Sequence, residues 1–380
     1  MGKSTTKDAR LPLWKHKGSG QWCRKVAGKF RYFGTDLEAA LEEWRRVKDW
    51  ILDGKEPPPH PDDDPASIAI ICDAFMEFKE GLLNSGELSK RSFDGYHSTC
   101  KFLVEKLKGR TLATSLKPVD FQKLRQKMAA KWGPVKLGNE IQVIRSVFKY
   151  AYDSDLITAP VKFGPGFAKP SRLVLRKAKA DKGSRLFDPA EARKIIKLAG
   201  PQMRAMVLLG LQAGLGNTDV AMLTLKHVEA EDGWLVYPRT KTAIVRRIPL
   251  WEETAAALKA AIKARPEPKD PDDAKLLFIG PRGQSYVGNN RGYRVHQEFQ
   301  RVAIRAGSDR TFYDCRRTFQ TIGEESGDLV AVGSIMGHAP RSDDMAAVYR
   351  QGVSDERLRA VVDRVHEWLY AGAGEEGGGE

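Results

Sequence analysis

Cysteine is scarce in this sequence: four in 380 residues, at Cys23, Cys72, Cys100 and Cys315. They are too scattered for a disulfide framework or a Cys-x-x-Cys zinc site, and such usage fits an intracellular, reducing compartment. Long apolar runs are missing too, with no stretch near the roughly 20 apolar residues that a membrane helix needs. The start, MGKSTTKDAR, lacks the apolar centre of a secretion signal. The expectation is a soluble, cytoplasmic chain with no membrane partner. Walker loop, Gly-rich dinucleotide turn between strand and helix, HExxH and GxSxG are all absent, which removes the common nucleotide-binding and hydrolase readings.

Acidic residues are in deficit, 49 against 63 Lys and Arg, for a net charge of +14. The excess is focused. Residues 1–35 carry nine basic side chains and one acid, residues 160–185 carry eight and one, and the rest of the chain is close to neutral. Two concentrated patches suggest two contacts with a polyanion such as double-stranded DNA.

At 380 residues the chain exceeds what one core usually organises, and the sequence divides into domains. In residues 1–54, Gln21–Val26 and Lys29–Gly34 alternate around an Ala27-Gly28 turn, and Leu37, Leu41, Trp44 and Val47 mark a helix from Asp36. This reads as a small basic arm, with Arg24, Lys25, Lys29 and Arg31 on its strands as DNA-binding candidates, and Trp22, Phe30, Tyr32 and Phe33 as its core. The Pro- and Asp-rich run 55–66 is a linker. Residues 67–159 show helical periodicity throughout, with segments near 67–84, 89–108, 118–131 and 136–153.

Residues 160–185 read as an aperiodic basic linker in which Arg172, Arg176, Lys177 and Lys179 are further DNA-binding candidates. Such a linker suits a clamp around a duplex. From 186 to 370 the pattern is mixed, with two strands, Trp234–Pro238 and Ile244–Leu250, among helices near 251–263, 292–306, 311–325, 328–336 and 355–369. In the last of these, Leu358, Val361, Val362, Val365 and Leu369 form one apolar stripe. Residues 371–380 are an acidic, flexible tail. The fold class is therefore mainly α with small β elements: a small sheet plus helix, a four-helix domain, and a mixed α/β domain.

Four groups follow in order in the last domain: Lys241 between two strands (TKT), YDCRRTF at 313–319, IMGHAP at 335–340, and Tyr349 in MAAVYRQG. In their order and spacing, and in the architecture around them, the chain resembles the tyrosine recombinase, or phage integrase, family. The resemblance covers nearly the whole chain and implies an arm-binding, a core-binding and a catalytic domain. It implies Tyr349 as a nucleophile forming a 3′-phosphotyrosyl link and Arg316 as a clamp on non-bridging phosphate oxygens. Lys241 would be the acid for the leaving 5′-oxygen, and His338 a phosphate or nucleophile partner. Because the bond energy stays in the protein–DNA link, no metal, ATP or other cofactor is implied. The resemblance also implies self-association, a tetramer on DNA with C-terminal helix contacts between protomers, and a nucleoid-associated location.

Two positions depart from the family pattern. Gly216 stands where the first catalytic arginine is expected, with no arginine between Arg204 and Arg239, and Tyr313 stands where the family has histidine. Tyrosine keeps a hydrogen-bond donor. The missing guanidinium matters more, since an arginine acting on phosphoryl transfer is worth roughly 10³ to 10⁵ in rate. Arg204, Arg239, Arg246, Arg247, Arg294 and Arg317 are candidate replacements, and Asn217 with backbone amides is another. Three readings follow: a site-specific recombinase that integrates or exchanges DNA, a DNA-binding protein of that fold with cleavage lost or slowed, and a relaxing topoisomerase of the same chemistry.

Overall fold

The computed structural model describes residues 11–16, 18–55, 65–229, 233–287, 293–340 and 344–371. The first ten residues of the arm, most of the Pro/Asp-rich run and the acidic tail from residue 372 lie outside them. The chain divides into two compact units, with the boundary in sequence between Ala178 and Lys179.

The first unit opens with strands β1 (Trp14–Lys15), β2 (Trp22–Val26) and β3 (Lys29–Tyr32), antiparallel in the order β1-β2-β3. Ala27 (φ 50) and Gly28 (φ 82) make the two-residue left-handed turn that matches the twist of a hairpin. Helix α1 (Leu37–Leu52) starts at Asp36, whose side chain accepts from Ala39 N. Its Ala40 and Trp44 form a small core with Leu13, against which Trp22, Val26 and Phe33 pack.

Two of the four aromatics expected in that core lie outside it, because the Lys25↔Phe30 and Cys23↔Tyr32 register turns them to the face away from α1. Phe30 is 44% and Tyr32 45% exposed, stacked at 6.2 Å with His16 edge-on to both rings.

Helices α2 (Ile68–Asn84), α3 (Lys90–Leu107), α4 (Pro118–Lys131) and α5 (Pro134–Asp153) follow, within a residue or two of the sequence expectation. Their starts are written locally: Ser67 and Ser89 cap α2 and α3, and prolines occupy the first turns of α4 and α5. Phe75, Phe121, Ile141 and Phe148 lie in their shared core.

The stretch expected to be an aperiodic linker contains two ordered pieces. Phe163 and Phe167 pack on Phe121 at 4.7 and 5.4 Å, and Arg145 donates to the Phe167 carbonyl. Helix α6 (Arg172–Ala180) then forms with no buried residue. No apolar face of it meets a core, and its run of Lys and Arg reads in sequence as a linker.

The second unit contains α7 (Pro189–Leu198), α8 (Pro201–Ala213), α9 (Asn217–Met222), α10 (Leu225–Glu229), the antiparallel hairpin β4 (Trp234–Pro238) and β5 (Val245–Pro249), and α11 (Glu252–Lys263). It continues through α12 (Tyr293–Ala306), α13 (Phe312–Glu324), α14 (Leu329–Ile335), α15 (Met345–Tyr349) and α16 (Asp355–Tyr370). Helix α8 is buried on every side from Ala205 to Ala213, which makes it the central helix of the core.

For the apolar stripe of α16 the sequence admits two readings, contact with a neighbouring protomer and packing in cis, and this face packs in cis. Leu358, Val361, Val362, Val365 and Leu369 are all within the core of their own unit, and Trp251 Nε1 donates to the Val362 carbonyl at 3.1 Å. Among the described residues no helix is long and apolar enough to cross a membrane.

Candidate phosphate-binding site

The site grows from two glycine turns. Helix α8 ends at Gly214, left-handed at φ 61, and α14 ends in Met336 and Gly337, with Gly337 at φ 62. The Gly337 and His338 amides donate back to Ser334 O and Gly333 O, a closure that needs a left-handed residue. A side chain at 337 has no room either, since a Cβ there would lie 2.9 Å from Arg246 Cδ and 3.0 Å from Arg239 Cδ. The turns leave the carbonyls of Gly214, Met336 and Gly337 free to accept from side chains.

Arg316 on α13 uses two of them. Its Nη1 donates to Gly214 O, and Nη2 donates to Met336 O at 3.1 Å and to His338 Nε2 at 3.0 Å. The start of α13 is fixed by Asp314, fully buried. Its Oδ2 accepts from Thr311 N and Oγ1 at 2.7 and 2.9 Å, and Arg185 and Arg317 pair with the same carboxylate. Burial opposes ionisation of Asp314, but these donors outweigh it and hold its pKa below the usual value.

Arg316 is 5% exposed. Burial, then the like charge of Arg239, lowers its pKa, yet a guanidinium stays charged at neutral pH. His338 is also pushed down, by desolvation first and then by Arg316 and Arg239. As arginine only donates, His338 Nε2 must accept, so the imidazole is neutral with its proton on Nδ1.

The β4–β5 hairpin docks on the third carbonyl. Arg239 Nη1 and Thr242 Oγ1 both donate to Gly337 O at 3.0 Å. Lys241, between them at the hairpin tip, is exposed. Beneath lies Arg246, 0% exposed. It donates to Asp219 Oδ1 at 3.1 Å and to Tyr237 O at 3.3 Å, while Asp219 Oδ2 accepts from the Gly216 amide at 3.0 Å. Gly216 is thus the N-cap of α9 at an ordinary φ of −89°, and a Cβ there would meet only Asp219 Oδ2, at 3.5 Å.

A cleft of about 550 Å³ opens over Arg316 and His338. Tyr313, Arg317 and Gln320, on the same face of α13, line it, as do Lys179 and Lys182. Tyr313 is half exposed, with the Arg317 guanidinium 5.6 Å from its ring centroid. The cleft is basic, and no carboxylate pairs with Arg316 or Arg239 among the described residues.

The structure therefore brings together Arg316, His338 and, through Gly337, the hairpin that carries Lys241. Tyr349 is apart from them. It ends the short helix α15, is 76% exposed, and makes no hydrogen bond or ring contact among the described residues. Of the basic candidates elsewhere, Lys25, Lys29 and Arg31 are exposed, as are Arg172, Arg176, Lys177 and Lys179 on α6. Arg24 is turned toward α1, its guanidinium 4.7 Å from the Trp44 ring centroid and bonded to Pro12 O at 2.7 Å. Sequence reasoning missed Asp219 and the three carbonyl acceptors. The Arg239-x-Lys241 spacing, two cations flanking one hairpin tip, was the available signal for Arg239.

The second unit has the fold of a tyrosine recombinase catalytic domain. Residues 185–354 match the phage integrase family, and the chain carries a domain of that family over this span. The lambda integrase tetramer bound to a Holliday junction is similar in structure, at 16% identity over 92% of this chain and 98% of that one, with a TM-score of 0.56. The Tn1549 transposon integrase (residues 82–397) in complex with circular intermediate DNA is also similar, at 18% identity over 77% of this chain and 98% of that one, with a TM-score of 0.55. At such identities the likeness is one of fold. No curated protein matches the sequence.

Proposed function

We propose that this protein is a site-specific DNA recombinase that cleaves and rejoins duplex DNA through Tyr349, without a metal or nucleotide cofactor. The observation that carries the reading is the cation cluster: Arg316 and Arg239 on adjacent carbonyls beside neutral His338, with no carboxylate in direct contact with either among the described residues. Placing two like charges together is unfavourable until an anion arrives, and a phosphodiester supplies one.

In the proposed reaction Tyr349 Oη attacks the scissile phosphorus and gives up its proton to water, consistent with its exposure. The bond from phosphorus to the 5′-oxygen breaks, and Lys241 donates a proton to that oxygen, leaving a 5′-hydroxyl and a 3′-phosphotyrosine. Arg316 holds a non-bridging oxygen as charge builds, and His338 donates to the phosphate from Nδ1. Attack by a 5′-hydroxyl from another strand reverses the step. The exposed cations Lys25, Lys29, Arg31, Arg172, Arg176, Lys177 and Lys179 contact backbone phosphates, and copies of the chain assemble on the DNA as a multimer, as the lambda protein does on a Holliday junction.

The test is covalent capture. The full chain is incubated with a pool of nicked duplexes of random sequence, and protein-linked DNA is resolved on a denaturing gel and sequenced. Adduct that is lost in Tyr349→Phe supports cleavage. Tight duplex binding with no adduct from any sequence favours the alternative, a DNA-binding protein of this fold that does not cut.

A further inference from the structure

We propose that Arg239 is a catalytic residue that grips the scissile phosphate opposite Arg316, taking the place left empty at Gly216. The inference rests on the cleavage reading above. A phosphodiester presents two non-bridging oxygens, and attack by an oxygen nucleophile adds negative charge to both, so one guanidinium leaves charge unmet. Gly216 brings no side chain to meet it.

The other five arginines that could replace it have anchors of their own, although Arg317 also lines the cleft. Arg204 donates to Ile196 O and Lys197 O at the end of α7. Arg294 donates to Ser285 O. Arg247 pairs with Asp355 and stacks at 3.6 Å on Trp234. Arg317 is held by Asp314 at 2.7 Å. Arg246 is closed off from solvent and paired with Asp219, so it supports the site from below.

Arg239 differs from all five in its anchor, the carbonyl next to the one that holds Arg316. It is partly exposed, has no carboxylate partner among the described residues, and makes one hydrogen bond there, to Gly337 O. Four of its five N–H donors are left for a ligand. Its anchor is the residue after the Met336 carbonyl that holds Arg316, so one turn anchors both guanidiniums. The lowered pKa values of both Arg316 and His338 carry an Arg239 contribution, as expected if the three face one small space. Gly337 is part of the device, because a Cβ there would press on Arg239 at 3.0 Å.

The test uses the full chain and the duplex recovered by covalent capture. Arg239→Ala lowers the rate of adduct formation by about 10² to 10³, the usual scale for losing one transition-state donor, while Arg204→Ala and Arg294→Ala do not. Arg239→Lys, which keeps the charge and loses the fork, is intermediate. Replacing the scissile phosphate by a neutral methylphosphonate removes the charge that Arg239 meets, so the deficit of Arg239→Ala shrinks on that substrate. Gly216→Arg, added to Arg239→Ala, restores adduct. Wild-type rates in both Arg239→Ala and Arg239→Lys overturn the assignment, as does a deficit equally large on the phosphate and methylphosphonate duplexes, which marks a residue that only props the hairpin. A wild-type chain that forms no adduct on any duplex overturns the cleavage reading, and this assignment with it, in a pattern distinct from a normal Arg239→Ala.

Discussion

Arg316 donates from Nη2 to Nε2 of His338 across 3.0 Å. One side chain thereby fixes both the tautomer of the imidazole and its charge, since a protonated His338 could accept nothing and would face a cation.

That relationship sets a pH dependence. His338 has its pKa lowered in the fold by desolvation and then by Arg316 and Arg239, so below the ordinary histidine value of about 6.5 the unfolded chain takes up a proton that the folded chain resists. The unfolded state then binds more protons, and stability falls with falling pH. The contribution is present in full above that value and is lost as pH drops through the folded pKa. Thermal unfolding compared at about pH 7.5 and about pH 5.5 should show a larger loss in the wild type than in His338→Gln, because only the former carries the linkage.

Arg246 and Asp219 form a buried pair, at 0% and 8% exposure, under the Gly216 cap. Arg246→Met leaves the carboxylate buried without its cation and should cost about 3 to 5 kcal/mol in denaturant unfolding, the scale for breaking such a pair from one side. Adding Asp219→Asn removes the stranded charge and keeps an oxygen for the Gly216 amide, so the double variant should recover part of the loss. Equal stability of the single and double variants would mean that the pair is not coupled.

The arm separates charges that face solvent from one that does not. Lys25→Ala, Lys29→Ala and Arg31→Ala should each leave folding intact and reduce the salt slope of duplex binding by about one phosphate contact. Arg24→Ala should lower the melting temperature through lost packing on Trp44 and leave the slope alone. Slopes unchanged in the first three variants would remove the arm from DNA contact.

Much of the fold was legible because its signals are local. Ser67, Ser89, Pro118 and Pro134 announce the starts of α2 to α5, and the polar turn between Trp234–Pro238 and Val245–Pro249 announces the β4–β5 hairpin. What stayed hidden depends on partners distant in sequence. Helix α6 buries no residue in a core, and its basic composition reads as a linker. Arg24 and Phe30 are adjacent in type to their neighbours, and only the strand register decides which side each takes. The motif residues around Arg316 could be recognised one by one. The assignment of Arg239 could not, because it depends on a carbonyl 98 positions away that is free only because a glycine ends α14.

The four cysteines have a practical side. All are buried thiols with no disulfide, and burial raises the pKa of Cys23 and Cys315, which keeps them as protonated, slowly reacting thiols. The native chain therefore serves as its own unreactive background for thiol chemistry. A single cysteine placed on exposed α6, or at the tip of the β4–β5 hairpin, takes a fluorophore or spin label without prior removal of any natural residue.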